Sequence, residues 1–81
     1  MVGIQAILAN MLVEITAPVF KCAEDERVFL TRLRELPGYQ GVVGRDQRYQ
    51  LTLAGVSEGE VQEQLGEVCA IWHTRYDIVS P

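Results

Sequence analysis

The sequence predicts an α+β domain with the order strand, helix, strand, strand, helix, strand: two βαβ halves that share a single four-stranded antiparallel sheet, with both helices on one face. Three observations carry this. Apolar residues alternate with polar ones in several short segments, as on a half-buried strand. Two longer segments carry apolar residues at helical spacing behind acidic or capping starts. Pro18, Pro37-Gly38, Gly44 and Gly55 punctuate the segments, while Gly41, Gly59 and Gly66 fall within them.

Met11-Leu-Val-Glu-Ile-Thr-Ala17 reads as the first strand. Val13, Ile15 and Ala17 share one side, with Glu14 and Thr16 on the other. Pro18 ends the regular ladder. Residues 22–36 read as a helix. Glu24, Asp25 and Glu26 crowd its first turn and Arg32 and Arg34 its last, matching the macrodipole. Phe29, Leu33 and Leu36 form its apolar stripe, and Pro37-Gly38 stops it.

Residues 39–54 read as a hairpin. Tyr49, Leu51 and Leu53 alternate with Gln50 and Thr52 in its second arm. The connection Gly44-Arg45-Asp46-Gln47 places a glycine where positive φ is expected, and Gly41 marks a candidate bulge. Ser57 with Glu60 three residues on is a capping-box signature. Val61, Leu65, Val68 and Trp72 then continue at 4, 3, 4 spacing. Trp72, Thr74, Tyr76 and Ile78 also alternate as a strand would, but the helical stripe through Trp72 favours the longer helix. Tyr76-Asp-Ile-Val79 reads as the last strand.

This order resembles the ferredoxin-like, split βαβ fold over about residues 11–79. The resemblance is to a fold alone, and that fold hosts many unrelated functions, so it transfers none. The expected division is an N-terminal extension, residues 1–10, and one domain, residues 11–81. The extension is apolar. Val2, Ile4, Ile7 and Leu8 are its candidate interface residues, in an extra strand or a surface that meets a partner.

With 81 residues, the chain supports one thin core, and domains this small often gain stability from self-association. Hydrophobic residues at 48% and charged residues at 22% argue against disorder. A net charge of -4 does not suit a nucleic-acid binder. The seven basic residues do not cluster beyond two pairs, Arg32/Arg34 and Arg45/Arg48. No Lys or Arg precedes Lys21, as a signal peptide would require, and Gln5, Asn10 and Glu14 interrupt the N-terminal apolar run. The expectation is a cytoplasmic protein that meets neither membrane nor nucleic acid.

Candidate chemistry is sparse. Cys22 sits at a helix N-terminus beside Lys21, where a thiolate is favoured, but Glu24, Asp25 and Glu26 oppose it. His73 lies near Tyr76 and Asp77, a candidate general base with candidate partners, or simply a cation at a helix end. Cys69 and His73 are four apart, and with Cys22 they make three soft ligands where zinc wants four, so no metal site and no cofactor is expected. Tyr39 and Tyr49 with Arg45 and Arg48 would suit base stacking, yet no RNA-binding motif is present, and cross-strand packing of the two tyrosines is the plainer reading.

The leading expectation is therefore an interaction or ligand-binding module that self-associates, as a dimer, or docks a protein partner or small ligand. Two alternatives stand beside it. One is a small dimeric α+β-barrel enzyme with His73 as base. The other is a thiol carrier that uses Cys22.

Overall fold

A computed structural model describes residues 10–80 of the chain. The candidate interface residues Val2, Ile4, Ile7 and Leu8 lie outside the described residues. The elements follow the expected order: β1 (Asn10–Thr16), α1 (Ala23–Arg34), β2 (Tyr39–Arg45), β3 (Arg48–Ala54), α2 (Glu58–Ile71) and β4 (Tyr76–Ser80). The sheet order is β2-β3-β1-β4, every pair antiparallel, which is the ferredoxin-like topology.

The pleat sorts the sheet's side chains. Val13, Ile15 and Leu51 are fully buried and face the helices, with Met11, Tyr49 and Leu53 beside them. Phe29 and Leu33 of α1 and Val61, Leu65, Val68 and Cys69 of α2 close the core from the other side. Phe29 is its centre. Its ring lies 5.6 Å from Phe20, 5.6 Å from Trp72 and 5.5 Å from Tyr49, in tilted and edge-on contacts that suit the aromatic quadrupole. The helix side is close-packed. The crevice between Leu36, Leu53, Val56, Val61 and Leu65 holds about 10 Å³, room for one water at most.

The helix ends show which local signals act. At α2, the Ser57 hydroxyl accepts from the Glu60 N–H while the Glu60 carboxylate accepts from the Ser57 N–H, so the capping box forms as the sequence implied. At α1, Cys22 is the N-cap residue but its side chain makes no capping hydrogen bond. Instead the Asp25 carboxylate reaches back to the Lys21 N–H. After α1, Gly38 takes φ +77°, and a Cβ there would lie 2.2 Å from the Ala54 carbonyl oxygen, so both conformation and space demand glycine.

Three local expectations are corrected. The positive φ in the hairpin belongs to Asp46 (50°) and Gln47 (64°), a two-residue turn of the primed kind, and not to Gly44. Gly44 instead lies beneath the Tyr49 ring, which a Cβ would approach to 3.2 Å. The two-residue turn pairs Tyr49 with Gly44, and Tyr39, beyond a register shift next to Gly41, pairs with Leu53, so the two tyrosines are not a cross-strand pair. Finally, α2 ends at Ile71 with Trp72 as its C-cap, one residue before the expected end of the stripe.

His73 is what stops α2. It adopts φ 55°, and its N–H donates to Ala70 O while Thr74 N–H donates to Cys69 O. This is a Schellman closure with His73 at the left-handed position where glycine is usual. A His73→Gly variant is therefore expected to gain about 0.5–1 kcal/mol, read as a higher urea midpoint. A loss of stability would show that the imidazole itself holds the helix end.

Candidate interaction surface

Both helices pack on one face of the sheet, and among the described residues no element covers the other. Strand register resolves it into rows that run across the strands. The outermost, at the hairpin end, is Arg45, Arg48, Thr16 and Arg75: Arg45 pairs with Arg48, Arg48 with Thr16, and the Thr16 N–H donates to Arg75 O. The next is Val43, Gln50, Glu14 and Asp77. The third is Gly41, Thr52, Leu12 and the Val79-Ser80 segment, where a second register irregularity falls.

This face is mixed in character. Glu14, Thr16, Gln50 and Thr52 lie on it, as their alternation implied. Leu12, Val43 and Val79 share it, and Val43 and Val79 are each 56% exposed. Alternation could have located both Leu12 and Val43, since each flanks residues that face the core. Glu14 accepts from Arg48 across the strands at 3.5 Å, a long contact between half-exposed groups that adds little stability. The edge strand β2 carries Gly41 in open space, with no atom within 4 Å of where its Cβ would be.

Around the end of the hairpin lies an open cleft of about 360 Å³ lined by Ala17, Glu26, Gly44, Tyr49 and the whole turn from Arg45 to Arg48, Asp46 included. The Tyr49 hydroxyl donates to Glu26 at 2.8 Å. Burial first, and the Glu26 carboxylate second, push the Tyr49 phenol up to about 12. The Ala17 N–H donates to Gln47 O at 3.0 Å and ties the turn to the end of β1.

The sequence-predicted site residues are scattered. His73 is exposed beyond α2, its backbone spent on the helix end, and Asp77 is exposed on the open face. Tyr76, between them in sequence, turns toward the core. Among the described residues no side-chain hydrogen bond joins His73 to Asp77 or Tyr76. Cys22 is exposed and Cys69 buried, both as free thiols. Burial pushes the Cys69 thiol up to about 11, and burial with that neighbouring thiol also raises Tyr76. Because α2 ends before His73, Cys69 and His73 do not share a helical face. Among the described residues no three His, Cys, Asp or Glu side chains cluster to hold a metal, and no helix is long and apolar enough to cross a membrane. Tyr39 and Tyr49 both lie on the helix-covered face, away from where bases would stack.

Comparison with protein-family models, curated proteins and solved structures found no match.

The Tyr49–Glu26 contact sets an alkaline signature. Tyr49 has its folded pKa raised from 10.0 to about 12, so its contribution is fully present below pH 10 and lost between pH 10 and 12. Tyr49→Phe is expected to cost about 1 kcal/mol at pH 8 through the lost hydrogen bond. It should also make the decline above pH 10 shallower, leaving the part due to Cys69 and Tyr76. Urea midpoints at pH 8, 10 and 11 test this, and an equally steep decline in the variant would contradict it.

Proposed function

We propose that this chain is a self-associating interaction module, and that the open sheet face is where a second copy docks. The observation that supports it most is the exposed apolar set on that face, Val43 and Val79 with Leu12 between the edges, in a chain whose helices cover only the opposite side. Sheets that meet face to face stack about 10 Å apart with nearly aligned strands. Such stacking would give this thin two-layer domain a further pair of layers.

Shape favours a second copy as the occupant. A two-fold axis along the strands, between β1 and β3, sets β4 of one copy over β2 of the other. Val79 then stands above the partner's Gly41, a protruding side chain over a bare stretch of strand, and symmetry repeats the contact. Leu12 faces the partner's Thr52, and Glu14 meets the partner's Gln50, whose amide can donate to it. The same rotation sets Asp77 against the partner's Val43 and lays the two arginine rows across each other at the hairpin end, so the apolar contact is confined to the row of Gly41, Thr52, Leu12 and Val79.

Gly41→Val tests the arrangement without disturbing the monomer. The position has open space around its missing Cβ, and valine suits a strand. Sedimentation equilibrium should find the wild type as a concentration-dependent dimer. It should find Gly41→Val as a monomer with unchanged circular dichroism, and with an unfolding midpoint that no longer rises with concentration as the wild type's does. A wild type that stays monomeric to millimolar concentration would overturn the reading, as would a variant that dimerises equally well.

A further inference from the structure

The charge on the open face is distributed in a way that self-association does not use. The chain carries a net charge of -4 and only seven Lys and Arg residues, yet three of these, Arg45, Arg48 and Arg75, fall in one row across the sheet. Arg75 is distant in sequence and reaches the row only because Ile15 pairs with Tyr76, which sets Arg75 opposite Thr16.

This placement is unfavourable for the fold. Arg45 and Arg48 stand directly opposite each other on neighbouring strands, where like charges repel. Glu14 meets Arg48 alone, at 3.5 Å with the arginine side chain 60% exposed. Among the described residues, neither Arg45 nor Arg75 has a carboxylate within ion-pair distance. The arginines of α1 differ: Arg27 pairs with Glu24, and Arg32 and Arg34 sit in the last turn, where the helix dipole favours them. In the row of three, Arg48 alone has an ion-pair partner among the described residues, Glu14.

We propose that Arg45, Arg48 and Arg75, with the Thr16 hydroxyl between them, form a binding site for a chain of phosphoryl groups, as in an inorganic polyphosphate or the triphosphate of a nucleotide. The row crosses four strands, a length of about 14 Å at the usual strand spacing. Guanidinium forks spread over that length can each take two oxygens of successive phosphoryl groups, which suits a phosphate chain better than a single anion. Glu14 and Asp77, in the next row, repel an anion from the middle of the face and hold it at the hairpin end. The row lies outside the apolar set, so the site does not rest on dimer formation.

Isothermal titration of the full chain with tripolyphosphate tests the proposal, with ionic strength held constant by sodium chloride. Saturable binding is expected, at least tenfold tighter than that of orthophosphate. Arg45→Gln/Arg75→Gln should weaken it at least tenfold with an unfolding midpoint that does not fall. Arg32→Gln/Arg34→Gln, with the same change in net charge, should leave it within twofold. ATP in place of tripolyphosphate identifies the source of the chain: equal affinity points to the phosphates alone, and tighter binding to a nucleotide. No saturable heat with either ligand would overturn the proposal, as would equal losses in the two double variants.

Discussion

A four-stranded sheet has two faces, and the two helices of this chain cover one of them. Most of what the molecule presents follows from that constraint. The pleat sends alternate residues to opposite sides, so the register that buries Val13, Ile15 and Leu51 also fixes what stands outside. A shift by one residue in β1 would expose its whole apolar set. The strong demand for burial on the helix side therefore determines the open face, down to which arginine stands beside which.

The helix side is consistent at every level. Phe29 gathers Phe20, Tyr49 and Trp72 around it, contributed by the loop before α1, by β3 and by the end of α2. Three parts of the chain that are distant in sequence thus meet on one ring. Beneath Tyr49 lies Gly44, and above its hydroxyl lies Glu26, so a single aromatic residue bridges the edge strand, the core and α1. Among the described residues, tight packing around Leu36, Leu53, Val61 and Leu65 leaves no room for a ligand between the layers, so a partner or ligand meets the molecule at its surface.

Much of the fold was legible because local chemistry and tertiary packing agree. Ser57 and Glu60 specify the start of α2 wherever it packs. The alternation around Val13 and Leu51 carries an unambiguous period. What escaped depends on backbone detail or long-range register. Gly41 marked the irregularity that falls beside it, but the separation of Tyr39 from Tyr49 follows from where the two-residue turn sits, which sets Tyr49 against Gly44. Asp46 and Gln47 accept positive φ although a glycine stands two residues away, because the short turn must match the twist of its strands. His73 closes α2 from a conformation better suited to glycine, directly after Trp72, so the stripe located the helix end to within a residue but not the residue that makes it. The arginine row was illegible for a simpler reason: Arg45 and Arg48 are neighbours in sequence, but only strand pairing brings Arg75 to them.

The central claim is that the uncovered sheet face is the working surface of this protein. Methyl-resolved NMR with a soluble paramagnetic gadolinium chelate reads it directly, by comparing relaxation at micromolar and millimolar protein. The account predicts that the methyls of Leu12, Val43 and Val79 lose access to the chelate as concentration rises. Those of Val28 and Ile71, exposed on the helices, should keep theirs. Protection that appears at Val28 and Ile71 instead, or at neither set, would contradict it.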